Sequence, residues 1–149
     1  LCEHRGSDGC RIYDSRPEVC RGFFCGWRVL PKLDDAWRPD RCEILLELRP
    51  DDVPERFRAL GYVFKFTLFG APDRIFWKPF VTLVSGLVSQ DFPVTLAVAG
   101  KPGYAAGRYF LTDYLKLAVA TGDYARIVGP LSLALQVCID HPQEKIDLG

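Results

Sequence analysis

Three stretches of the chain alternate residue by residue, and this alternation restricts the fold more than any other feature. Ile44, Leu46 and Leu48 are interleaved with Glu43 and Glu47; Phe64, Phe66 and Leu68 with Lys65 and Thr67; Val94, Leu96 and Val98 with Thr95, Ala97 and Ala99. Successive side chains of an extended strand point to opposite faces, so a period of two predicts half-buried strands with one apolar face on a core. The faces made of small residues are expected to lie under helices. Elsewhere the period changes. From about Trp77 to Ser89, the residues Phe80, Leu83, Val84, Leu87 and Val88 keep to one helical face, and Pro79 is tolerated only in a first turn. A second helix is expected from Leu111 to Thr121, with Thr112 as its N-cap and Gly122 beyond its end. Near the C-terminus Leu131, Leu133, Leu135, Val137 and Ile139 alternate, whereas Leu131, Ala134, Leu135 and Cys138 form a helical stripe. The Leu, Ala and Gln content tips this stretch towards helix, with Pro130 at its first position. The expected fold is α+β, a small sheet with packed helices behind an N-terminal cysteine-rich loop module.

Size and charge narrow the function classes. A chain of 149 residues buries roughly 70% of its unfolded surface, so its core needs no disulfide staples. Nineteen Lys plus Arg balance nineteen Asp plus Glu, for zero formal charge and a pI near 6.9. That balance removes the usual electrostatic footprint for nucleic acid or an anionic membrane, so neither is expected as a partner. The longest apolar stretches, Phe80 to Val88 and Ile127 to Ile139, are shorter than a bilayer span and broken by Gly86, Gly129 and Pro130. No basic stretch followed by an apolar one opens the sequence, which points to a cytoplasmic location. Leu1 is not an initiating residue and the chain contains no Met, so the sequence is expected to continue upstream.

The cysteines are unevenly spread. Cys2, Cys10, Cys20 and Cys25 fall at the start with the spacing C-x7-C-x9-C-x4-C, and only Cys42 and Cys138 follow. Ser15, Pro17 and Glu18 read as a capped helix start, placing Cys20 in a short helix ended by Gly22. On a continuous helix Cys20 and Cys25 would stand about 140° apart, so a turn at Gly22 is needed for them to share a metal. Gly6 and Gly9 allow a tight return between Cys2 and Cys10. Four thiolates on one Zn²⁺ leave a net charge of about −2, and Arg5, Arg11, Arg16 and Arg21 are interleaved to offset it. A four-thiolate [4Fe-4S] cluster carries the same charge, so zinc, iron and iron-sulfur stay open. Disulfides or free structural thiols are the competing readings; an intact core and no export signal weigh against an oxidising compartment. Cys42 and Cys138 read as small core residues. His4 reads as a loop residue, although it could replace one thiol. Tyr13 and Arg16 are expected to support the loop.

Residues 9–23, Gly-Cys-Arg-Ile-Tyr-Asp-Ser-Arg-Pro-Glu-Val-Cys-Arg-Gly-Phe, resemble the Cys-x-Ile-Tyr-x-x-Arg-Pro-x-x-Cys-Arg-x-Phe signature of the YkgJ-type cysteine-cluster family. That family is described as zinc- or iron-chelating. Cys2 matches the cysteine that precedes the signature, Cys10 and Cys20 match the two inside it, and Cys25 looks like a subgroup addition. The resemblance covers the first quarter of the chain. The family also carries an earlier CxxCxxCC-like block that this sequence does not contain. The resemblance therefore implies a larger donor set, and incomplete or absent metal where that block is missing. Residues 1–30 are read as a metal-binding module using Cys2, Cys10, Cys20 and Cys25, residues 31–41 as a polar connector, and 42–149 as an α+β body. The expected function is zinc or iron chelation, structural or in metal handling and redox.

Other constellations are weaker. Gly100 to Gly107 follows a strand and precedes a helix, but no Gly-Lys-Ser/Thr follows and Pro102 removes an amide donor, so turn and close packing are expected. Lys101 and Arg108 could still bind an anion there. The only histidines, His4 and His141, give no base for a Ser or Cys nucleophile, and no catalytic residue is assigned. Asp34–Asp35 and Asp51–Asp52 lie beside prolines and read as turn residues. Phe64, Phe66, Phe69, Phe76, Trp77 and Phe80 read as core. The alternative class is an enzyme binding an anionic substrate around residues 100–108, with the metal module purely structural. A third is an interaction module using the aromatic patch.

Overall fold

The computed structural model describes residues 4–7, 9–15, 17–21, 23, 25–51, 53–101, 103–142 and 144–146. In chain order the elements begin with a short hairpin, β1 (Arg5–Gly6) and β2 (Gly9–Cys10), and the single-turn helices α1 (Glu18–Arg21), α2 (Gly26–Val29) and α3 (Pro39–Cys42). Strands β3 (Ile44–Arg49) and β4 (Val63–Leu68), helix α4 (Lys78–Ser89), and strands β5 (Val94–Val98) and β6 (Gly107–Phe110) follow. Helices α5 (Thr112–Ala120) and α6 (Tyr124–Asp140) close the series. The four strands β3 to β6 lie side by side in that order, antiparallel except for the parallel pair β4 and β5. A parallel pair needs a crossover, and α4 supplies it. This is the α+β architecture the alternation predicts.

Register decides which side chains share a face. Phe66 lies between Leu46 and Leu96, with Tyr109 beyond; its neighbour Lys65 lies between Glu47 and Thr95, with Phe110 beyond. The Phe66 side, here the front, carries the core. The Phe66 ring meets Phe80 of α4 edge-on at 5.4 Å, and Trp37 reaches it at 6.5 Å. Helix α6 rests on β6 at Gly107, where a Cβ would stand 1.9 Å from the Cys138 carbonyl oxygen. Val84, Leu96, Leu115 and Leu131 are buried in the same layer. Each such side chain contributes about 1.5–3 kcal/mol by leaving water.

Several expectations need correction. The small-residue face of β5 is not under α4 or α6: Thr95 and Ala97 share the back face with Lys65, where the 3-10 helix Glu55–Leu60 brings its Phe57 ring to 6.1 Å from that of Phe110. Thr112 is not an N-cap. It is buried inside the first turn of α5, and its Oγ1 accepts from Val94 N–H and donates to Phe92 C=O, both at 2.8 Å. The buried Val94 N–H and the partly buried Phe92 C=O gain a partner there. Pro130 lies inside α6 and not at its start, which Asp123 caps by accepting from Ala125 N–H at 2.9 Å. The helical reading of the last apolar stretch holds, because Leu131, Ala134, Leu135 and Cys138 are buried while Leu133, Val137 and Ile139 remain 64%, 47% and 44% exposed. Residues 31–41, read as a polar connector, carry Trp37 into the core, its ring 4.8 Å from that of Trp77. Asp34 starts that turn by accepting from Ala36 N–H at 3.0 Å. Among the described residues no helix is long and apolar enough to cross a membrane.

Candidate functional site

The cysteine segment folds back on itself twice. Gly6 pairs with Gly9 and Arg5 with Cys10, the tight return that the two glycines allow, and Cys10 stands exposed at its end. Arg11 N–H then reaches the His4 carbonyl at 2.9 Å. Helix α1 carries the backbone of Cys20, and Arg21 at its end donates to the Asp14 carbonyl at 3.2 Å. Cys2, Arg16 and Gly22 lie outside the described residues, as does the side chain of Cys20. Cys25 is half-buried and bridges Glu47 on the outer edge of β3, which ties the segment to the sheet. The tie is close because the next residue is glycine: a Cβ on Gly26 would stand 2.5 Å from Leu46 Cγ. Among the described residues no group of three or more His, Cys, Asp or Glu is placed to hold a metal ion. Of the four expected ligands, Cys10 and Cys25 are described as free thiols.

Cys42 and Cys138 are of another kind. Both are buried, as read from the sequence. Cys42 Sγ donates to the Ile44 carbonyl at 3.3 Å, and burial pushes its thiol above the ordinary value. Burial pushes Cys138 up to about 11. Thiols held protonated in this way serve packing and not coordination.

A cleft of about 340 Å³ opens on the back of the sheet. Arg49 from β3, Lys65 from β4 and Arg108 from β6 enter it, with Thr95 of β5 beside Lys65 in register. Arg108 pairs across from Ala97, whose small side chain keeps that row low. Arg49 binds the Asp51 carboxylate through Nε and Nη2 and lies 3.7 Å from Glu47. The hydrogen bond from Arg49 holds Asp51 below the usual carboxylate range, and the charge of Lys65 acts in the same sense. The sequence reading named Lys101 and Arg108 as able to bind an anion and assigned no such role to Arg49 or Lys65. The signal was available in one respect only: both cations fall on the polar phase of the alternation.

The glycine-rich loop is a turn. A Cβ on Gly100 would meet the Ala105 carbonyl at 2.7 Å, and Gly103 has φ +83°, a conformation that favours glycine. The aromatic series divides: Phe64, Phe66 and Phe80 are core, whereas Phe69 and Phe76 are exposed. In comparisons with known proteins, no family model matches the chain, and no curated protein or solved structure matches it significantly.

Proposed function

We propose that this protein binds zinc or iron through its N-terminal cysteines, Cys2, Cys10, Cys20 and Cys25, with a structural role or one in metal handling and redox. The observation that carries the reading is the division of the thiols. Cys42 and Cys138 are sealed in the core, while Cys10 and Cys25 are free and reach solvent in one short segment. The arginines interleaved with these cysteines supply the positive charge that a thiolate site needs. Cys25 also sits against the β3 edge, so a metal held there would fasten the segment to the body. The resemblance to the cysteine-cluster family supports the same chemistry. A structural zinc site would be closed and four-coordinate; a working iron site would keep an open position or exchange electrons.

The test is anaerobic purification of the full-length protein in reductant, with elemental analysis and a visible spectrum. Stoichiometric iron with colour assigns a redox or iron-handling role, and stoichiometric zinc without colour a structural one. Cys10→Ser and Cys25→Ser are expected to lose the metal, while Cys138→Ala keeps it. Metal-free protein with its cysteines paired, or metal retained when Cys10 and Cys25 are both replaced, overturns the reading.

A further inference from the structure

Helix α6 has two apolar faces, and the sheet uses only one of them. Ile127, Leu131, Ala134, Leu135 and Cys138 are buried against the body. On the opposite side Arg126, Gly129, Leu133, Val137 and Asp140 are all exposed. Leu133 and Val137 hold apolar side chains in water one turn apart. Gly129 is not explained by packing within the chain: among the described residues a Cβ there would meet nothing within 4 Å. Glycine is nevertheless among the poorest residues for a helix interior.

The charges on this face are arranged about Leu133. Helix α6 continues through Pro130, and seven residues make nearly two turns, so Arg126, Leu133 and Asp140 stand in one column, each charge about 10 Å from Leu133. Gly129 and Val137 lie four residues to either side of Leu133, about 40° off the column in opposite senses. A two-fold axis through Leu133, perpendicular to the helix, lays a second copy of α6 antiparallel on the first. Each Arg126 then faces the partner copy's Asp140, and each Val137 faces the partner copy's Gly129, whose absent side chain is the room a valine needs. The face is thus complementary to itself, as a two-fold interface requires. Within its own chain Arg126 lies 3.7 Å from Asp123, and Asp140 accepts from Gln136 Nε2 at 2.8 Å. A guanidinium has five N–H donors and a carboxylate two oxygens, so each can serve its own chain and a second copy together. We propose that the outer face of α6 docks a second copy of this chain, giving an antiparallel two-fold dimer centred on Leu133. One helix pair is a small interface, so the dimer is a weak one.

The test is sedimentation equilibrium of the full chain in a concentration series up to about 1 mM, in reductant so that the exposed Cys10 cannot crosslink copies. The mass should move from monomer towards dimer within that range, more readily at low salt. Leu133→Asp should abolish the change. Arg126→Asp and Asp140→Arg should each weaken dimerisation at least about tenfold, because each sets two like-charge pairs where two opposite ones stood. Both changes suit the helix macrodipole, so the fold should survive them, and circular dichroism with an unchanged unfolding temperature in dilute solution certifies every variant. The double variant restores opposite charges and should dimerise within about threefold of the parent. Ile139→Ser, exposed on α6 but a third of a turn from Leu133, should leave dimerisation unchanged. The proposal is overturned if the chain stays monomeric throughout, if well-folded Leu133→Asp or both single charge variants dimerise as the parent does, if the double variant is as weak as the singles, or if Ile139→Ser abolishes the dimer.

Discussion

Phe66 and Lys65 are adjacent in β4, yet Phe66 is wholly buried against Phe80 of α4 while Lys65 lines a cleft. The difference lies in what the connections place over each face. The crossover helix α4 and the C-terminal α6 lie on the front, and α5 packs against both. Among the described residues the back carries the segment after β3, whose Val53 and Pro54 line the cleft and whose 3-10 helix Glu55–Leu60 sets Phe57 against Phe110. Stability is thus concentrated on one side of a single layer of strands, which leaves the other side room for charge. Lys65 is only half-buried there and Arg108 is exposed, so both charges keep contact with water, whereas full burial of a charge is costly.

The sharpest way to break this comparison is to truncate neighbours. Phe66→Ala should cost about 3–5 kcal/mol in urea unfolding, whereas Lys65→Ala should stay within about 0.5 kcal/mol; equal losses would show that both faces carry the core. Gly107→Ala should cost about 1–3 kcal/mol, because its Cβ would meet backbone of α6 that a rotamer change cannot move. A neutral result would mean that α6 does not rest on β6. Thr112→Val, measured in the same way, should cost about 1–2 kcal/mol by leaving Val94 N–H and Phe92 C=O without their partner.

Titration sharpens the contrast further. Cys138, on the front, is raised in the folded state, so its contribution is complete below the ordinary thiol value of 9.0 and is lost as pH rises towards about 11. Denaturation followed across that window should show a falling stability that Cys138→Ala flattens. Asp51, on the back, is lowered by Arg49, so its contribution is present above the ordinary value of 3.8 and is lost as pH falls below it. Asp51→Asn should remove that acid-side dependence, with an effect within about 1 kcal/mol because water screens the pair.

Much of the front face was legible in the chain itself. Ile44, Phe66 and Leu96 announce their strands because burial on one side of a pleat enforces a period of two. The last helix was legible from Leu131, Ala134, Leu135 and Cys138, although the competing alternation obscured it. Strand β6 was not, for its four residues Gly107, Arg108, Tyr109 and Phe110 show no apolar period. Gly107 is small because α6 lies on it, and Arg108 points to the opposite face, where it lines the cleft. Thr112 was misread for a similar reason: its partners, Phe92 and Val94, are distant in sequence. In the cysteine segment, the glycine hairpin was legible at Gly6 and Gly9, since glycine permits the return locally.

Residue order alone settled which side chains of each strand are apolar, that the chain is neutral, and that its cysteines gather at one end. These are properties of short windows, and local sterics and hydrophobicity act at that range. Only the tertiary structure decided which sheet face the helices cover, that Trp37 joins the core, and that Arg49, Lys65 and Arg108 line one cleft. Those outcomes depend on strand order and on the side taken by each connection, which are set by contacts between residues far apart in the chain.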